Sequence, residues 1–452
     1  MSFIIPHGPR SGFITVPSSK SQLHRLLILA ALGEKPVTIQ KKGQAADVSA
    51  AAACLNALGA AVTEETDCFH VTPIPREREA VHHNIPLPCG ESAAVLRFLL
   101  PLTGLLEIPA VFMREGRLPQ RPLEPFLNAL RAHGMQFREE GSLLYAEGKL
   151  TGGAYTLPGD ISSQFISALL LTLPMLKEDS ALRVMAPVES AAYLEMTEQA
   201  LESAGIMTEK ASLSRKEEKN LQWDSLYWIT GSRIPSLPQQ LAAEGDFSAA
   251  AVFMAMGALS PRGIALTGLS PTSRQADMLI LDILQRMGAD IGATPEVIAV
   301  RKPSEPLKAI TFNASQAPDL APVAAVLAAC CEGESKLTGL ERLRHKESDR
   351  LDGILSLLTS LGVKASLNEE SVLSIQGGCV RGGAVDVRHD HRLAMAAAIA
   401  ACAAEEPVVI NDAECVAKSY SAFWDDFGAL TLEAADESVV SPHNKNEQSE
   451  ML

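Results

Sequence analysis

CLNALGAAV, residues 54–62, reads as the end of an apolar helix, a Leu-Gly break and the opening of a strand. Glycine just past a helix accepts the positive φ that ends it, so one such case says little beyond α/β. The pattern returns in FLNALRAHGMQF (126–137), ALESAGIM (200–207), ILQRMGADI (283–291), LLTSLGVKA (357–365) and FWDDFGALTL (423–432). Gly59, Gly134, Gly205, Gly288, Gly362 and Gly428 therefore mark units of about 70 residues, and near-even spacing along a whole chain is the mark of an internal repeat. The proline-bearing connector GSRIPSLPQQLAAEGD (231–246) divides the six units three and three, which predicts two similar lobes. Residues 432–452 turn polar and acidic and are expected to form a disordered tail.

At 452 residues with 47% hydrophobic and 21% charged residues, the chain has globular composition and length for two or three domains. A net charge of −15 argues against a dedicated nucleic-acid binder, which needs a dominant basic face. The start, MSFIIPHGPR, lacks a secretory pattern and no apolar run reaches the ~18 residues of a membrane span, so a cytoplasmic protein with no membrane partner is expected. Eight scattered cysteines show no C-x-x-C pair and no Cys/His cluster at zinc spacing, and they read as reduced packing residues. The phosphate-loop, dinucleotide and nucleophile-elbow glycine motifs are absent, which disfavours ATP, NAD and serine-hydrolase chemistry.

Against this acidic background Glu341–Arg350 carries Arg342, Arg344, Lys346 and Arg350. If the stretch is helical, Lys346 and Arg350 share a face beside Glu347, a surface suited to an anionic, proton-exchanging substrate; a solvated charged helix is the alternative. In PSSKSQLHRLLILAALG (17–33), Ser18 or Ser19 caps a helix that carries Lys20 and Ser21 in its first turn and Arg25 one turn on. Ser162, Ser163 and Gln164 repeat that device before another apolar run. Ordinary capping explains each of these singly. Arg121, Lys418 and Arg392 are further isolated cations, Arg392 opening an Ala-rich helix where an idle guanidinium is costly. Asp319 leads a strongly apolar segment as either a cap or a base. Asp390 and His391 lack companion ligands at recognised spacing, and no metal is expected there.

In combination, Ser-Lys-Ser-x-x-x-Arg (19–25), Ser-Ser-Gln (162–164), Lys-Glu-Ser-Asp-Arg (346–350), Asp-His-Arg-x-Ala-Met (390–395) and Val-Ala-Lys-Ser (416–419) resemble the EPSP synthase family in order and spacing, from about Ile14 to Gly428. The resemblance implies an α/β fold, a two-lobed inside-out α/β barrel of six βαβαββ-type repeats, with one lobe from 1–19 plus 241–431 and a central lobe from 20–240. It implies transfer of the enolpyruvyl group of phosphoenolpyruvate to the 5-hydroxyl of shikimate 3-phosphate, in the route to aromatic amino acids, by a monomer without a cofactor. Matched residue by residue, Lys20, Ser21, Arg25, Ser162, Ser163, Gln164, Ser190, Asp319 and Lys346 fall on shikimate-phosphate contacts. Lys20, Ala93, Arg121, Gln164, Arg350, Arg392 and Lys418 fall on the phosphoenolpyruvate side. Asp319 is expected as base on the hydroxyl, Lys20 or Glu347 as proton donor, and Lys418 as an aid to phosphate departure.

The chain departs from the family's Gly-Asn-Ala-Gly-Thr loop, having Glu91 for the Asn and Ala93 for the second Gly. Glu91 beside an anion needs a cation such as Arg121, and the methyl of Ala93 is expected to narrow the pocket and lower sensitivity to glyphosate, the family's phosphoenolpyruvate-competitive inhibitor. The rival readings are a UDP-N-acetylglucosamine enolpyruvyl transferase, disfavoured because REGRLPQRP (114–122) lacks a reactive Cys, and a noncatalytic anion-binding repeat protein.

Overall fold

A computed structural model describes residues 2–77, 79–212 and 223–433. The regular unit is plainest at 85–148: strand Ile85–Gly90, helix Ala93–Leu105, strand Ala110–Arg114, helix Glu124–Arg131, then a hairpin of Met135–Glu140 and Leu143–Gly148. The first two strands pair in parallel and the last strand pairs antiparallel to the second, placing the third at the edge. Gly134 takes φ +100 at the break into that hairpin, beside the backbone carbonyl of Lys149, where a side chain has no room.

The same order recurs in the sheets built on 153–229, 264–301 and 311–376. Two units borrow a strand from far along the chain. Gln240–Ala242 pairs in parallel with Val37–Gln40, and Arg10–Thr15 pairs in parallel with Ile264–Thr267. The last unit, from Gly383, has its sheet completed by the N-terminal strand Ser2–Ile5 against Val408–Asn411. Five marker glycines adopt positive φ, but Gly428 lies inside the helix Phe423–Ala429; a strand supplied by the N-terminus removes the need for a break at that point.

The molecule has two cores, one from elements between Leu23 and Ile229, the other joining Ile5, Ile14 and Val16 to residues 247–430. Helices such as Phe247–Ala258, Ala321–Ala329 and His391–Ala403 are apolar on nearly every side and rich in alanine. A helix with no polar face must be buried, and small side chains let three of them approach closely, so helices fill each lobe and half-exposed sheets wrap it. This is the two-lobed inside-out arrangement.

The chain crosses between the cores twice, side by side: Ser18 bridges Gly245, Ser19 N–H donates to Glu244 O (2.7 Å) and Asp246 N–H donates to Pro17 O (2.8 Å). Leu432 pairs with Arg10 and Glu433 accepts from Ser260 Oγ (2.8 Å), so the ordered chain runs past the expected start of the tail at 432. The rest of that expected tail, 434–452, lies outside the described residues.

Candidate active site

A cavity of about 410 Å³ opens where the two cores face each other. The Leu23–Ile229 side contributes Lys20, Ser21, His24, Asp47, Ala93, Arg97, Arg121, Ser162, Ser163, Gln164 and Ser190; the other contributes Asp319, Arg342, Lys346, Glu347, His391 and Arg392. Most of these side chains stand at or just before a helix start. Ser19 caps Lys20–Ala31 by accepting from Gln22 N–H, Ser162 caps Ser163–Thr172 from Gln164 N–H, and Asp390 caps His391–Ala403 from Arg392 N–H. Helix N-termini converging on one void bring free N–H groups and positive dipole ends with them.

Charges in the cavity wall are paired with each other. Asp319 accepts from Arg392 (2.8 Å), Arg350 (2.8 Å) and Lys346 (3.2 Å). Burial alone raises its pKa, but Arg392, Lys346 and Arg350 overcome that and hold it well below the usual carboxylate range. Glu347 contacts Arg350 (2.6 Å) and, across the gap, Arg121 (3.5 Å), and against the effect of burial these two keep it ionised. Burial pulls Lys346 down to about 8 despite the opposing carboxylate of Asp319, leaving an amine that can exchange a proton near neutral pH. Lys20 (2.9 Å) and Lys418 (3.2 Å) share Asp47.

Of the fifteen residues given a substrate or catalytic role from sequence, twelve line the cavity and three do not. Arg25 is 2% exposed and spends its guanidinium on Thr197, Ser167, Tyr193 O and Ser21 O, so it stands behind Ser21 as support. Arg350 is fully buried among Asp319, Glu347 and Asp390. Lys418 sits one layer out, bridging Asp47 and Glu91.

The condition that 341–350 form one helix is not met. A 3-10 turn, Glu341–His345, ends at the extended Lys346, and a new helix starts at Arg350 capped by Asp349, so Lys346 and Arg350 meet through Asp319 instead of a shared helix face. Nor does Glu91 pair with Arg121: its carboxylate lies by Lys418 (3.5 Å) and His389 (3.6 Å) over Gly116, outside the cavity wall.

Sequence reasoning passed over Arg97, Asp47 and His24, and left Arg342 and His391 without a part. Arg97, the one cation of AAVLRFLLPLTGL, donates to Gln164 Oε1 (2.8 Å) and Ser162 Oγ (3.2 Å), and its Nε has no partner. A lone guanidinium in an apolar helix was the same signal that marked Arg392. Arg121 Nε and both ring nitrogens of His391 are also buried without hydrogen bonds, so the cavity holds spare polar groups for a ligand.

The residues 5–427 match the family model described as EPSP synthase (3-phosphoshikimate 1-carboxyvinyltransferase). A 3-phosphoshikimate 1-carboxyvinyltransferase of Clostridium acetobutylicum is 36% identical over 422 residues, covering 93% of this chain and 95% of the relative. One from Clostridium beijerinckii is 35% identical, covering 94% and 96%. Among solved structures, an EPSP synthase from Acinetobacter baumannii superposes with a TM-score of 0.76 at 23% identity over 95% and 98% of the two chains. The enolpyruvyl transferase NikO from Streptomyces tendae gives 0.72 at 17% over 94% and 97%.

Proposed function

Because the chain belongs to the EPSP synthase family, we propose that the cavity between its lobes is where phosphoenolpyruvate and shikimate 3-phosphate meet. The enzyme transfers the enolpyruvyl group to the 5-hydroxyl and releases phosphate. The observation that carries the site assignment is the ring of Lys20, Arg97, Arg121, Arg342, Lys346 and Arg392, drawn from both sides of one void in a protein of net charge −15. Two phosphorylated carboxylates need that concentration of cations.

Shikimate 3-phosphate sits against Ser162, Ser163, Gln164, Ser190 and Lys346, with Ser21 held by Arg25 from behind. Phosphoenolpyruvate lies near Lys20, Arg121 and Arg392, beside the methyl of Ala93. Arg350 orients Asp319 and Glu347 from below, and Lys418 acts through Asp47 and Lys20. The anions replace wall carboxylates as partners of Arg121 and Arg392, which releases Asp319 and Glu347 from part of their cationic clamp and raises their proton affinity.

Asp319 then accepts the hydroxyl proton, with Lys346 at 3.2 Å able to relay it. Lys20 or Glu347 protonates the methylene carbon, giving a tetrahedral adduct; the same group then takes a proton back from the new methyl as the C–O bond to phosphate breaks and the C=C bond re-forms, and the hydroxyl proton taken up by Asp319 leaves with the phosphate. The lobes, hinged at 16–19 and 243–246, close on the ligands. One chain supplies every group, which supports a monomer, and eight unpaired thiols support a reducing, cytoplasmic setting. No helix among the described residues is long and apolar enough to cross a membrane.

The deciding assay measures phosphate released from phosphoenolpyruvate with and without shikimate 3-phosphate. Release is expected only when both are present; release from phosphoenolpyruvate alone, or none at all, overturns the assignment.

A further inference from the structure

Away from the cleft, the turn joining strands Ala61–Glu64 and Cys68–Thr72 brings Glu65, Cys68 and His70 together, and none of the three lines the cavity. Cys68 Sγ lies 3.4 Å from His70 Nε2 and 3.8 Å from Glu65 Oε2, and His70 Nε2 lies 3.5 Å from Glu65 Oε1. A tetrahedral ion with bonds of about 2.0–2.3 Å to sulfur, nitrogen and oxygen sets its ligand atoms about 3.3–3.6 Å apart. The sulfur–nitrogen edge already has ligating size, and with one oxygen per carboxylate all three ligand atoms lie within 4.8 Å of one another, so a small turn of the Glu65 carboxylate closes the set.

Tautomer and charge agree with it. His70 Nδ1 is 3.0 Å from Thr38 Oγ1 on the neighbouring strand; an Nδ1–H donated there leaves the Nε2 lone pair facing the sulfur and the carboxylate. Glu65 has no Lys or Arg ion-pair partner among the described residues, since Lys41 pairs instead with Glu64 at 3.2 Å. A thiolate and a carboxylate together neutralise a divalent cation, and a water completes four-coordination.

The turn is anchored, not loose. Glu65 N–H donates to Cys68 O (2.8 Å), and Lys41 N–H, just past strand Val37–Gln40, donates to Asp67 O (2.7 Å). Glu-x-x-Cys-x-His falls within six residues, matches no paired C-x-x-C spacing, and shows itself only once the strand pleat and turn bring the three side chains together.

We propose that Glu65, Cys68 and His70 form a binding site for one zinc-class divalent ion, which clips the edge strand Ala61–Glu64 to its neighbour and takes no part in catalysis. Full-length protein stripped with a chelator and titrated with Co²⁺ is expected to bind one equivalent, with a thiolate-to-cobalt charge-transfer band and the visible absorption of a four-coordinate ion. Zn²⁺ displaces the cobalt and raises the melting temperature. Cys68→Ser abolishes the band and the zinc-dependent stabilisation while leaving transferase turnover unchanged, and Thr38→Val weakens binding by about 10–100-fold. Absence of a band at one equivalent overturns the proposal. So does a band that survives Cys68→Ser and is lost in Cys379→Ser, since Cys379 is the exposed rival thiol.

Discussion

Asp319 shows why a residue's chemistry depends on its company. Three cations hold it ionised and weakly basic, and only ligands that draw those cations away make it a base. Asp319→Asn is expected to lower turnover by about 10²–10⁴-fold while shikimate 3-phosphate still raises the melting temperature, read by coupled assay and thermal shift. Near-normal turnover would remove the carboxylate from the mechanism. Ala93, 6% exposed at the first turn of Ala93–Leu105, presents its methyl to the cavity. Ala93→Gly is expected to lower the glyphosate inhibition constant by at least about tenfold, and an unchanged constant would show that the methyl does not set the pocket's width.

The elements owe their positions to side-chain size. His391–Ala403 packs against Phe247–Ala258 and Ala321–Ala329 through alanines, Ala397 among them at 0% exposure, and the same helix carries His391 and Arg392 into the site. Ala397→Leu has no void to fill and is expected to cost about 1–3 kcal/mol by chemical denaturation; the displaced Arg392 should raise KM for phosphoenolpyruvate more than it lowers turnover. A stability loss with unchanged KM would separate packing from site geometry. At this scale the sequence was readable, because amphipathicity, its absence and glycine breaks are local properties. Gly428 misled because a helix-end glycine looks alike whether or not a hairpin follows, and the structure fills that place with Ser2–Ile5 from the other end of the chain.

For the whole molecule, pH acts on stability through buried charge. Burial holds His24 down to about 4 and His391 down to about 3, opposed in each case by a neighbouring aspartate, so both rings are neutral when folded. The unfolded chain titrates them near 6.5 and binds more protons below that pH, so stability falls as pH drops from about 6.5 toward 4. Asp47, Asp319 and Glu347, all depressed, add to the loss below about 4.5. His24→Gln is expected to flatten the upper part of this slope, by up to about 3 kcal/mol between pH 6.5 and 4, in urea titrations; an unchanged slope would assign it to other groups.

Arg121–Glu347, Lys418–Glu91 and Ala191 N–H to Gln316 Oε1 (3.0 Å) span the two lobes. The cations in these pairs are the ones a bound anion draws on, so ligands that take them over exchange contacts between the lobes for contacts to a shared ligand. Small-angle scattering should therefore show a smaller radius of gyration with both substrates than without, and an identical radius would count against closure.

The linear chain determined the α/β units, their number and the all-apolar helices, because helix periodicity and backbone breaks act over a few residues. It also marked most of the cations that line the cleft, since a cation in an apolar or helix-start context is conspicuous wherever it sits. Tertiary structure alone decided which cations face the void. Arg350 and Arg25 are consumed by buried partners, Arg97 is left with a spare donor, and Glu91 is taken by Lys418 and His389. Charge pairing acts through space over a few ångströms, and residues hundreds apart in sequence become neighbours only when the chain crosses twice between its lobes.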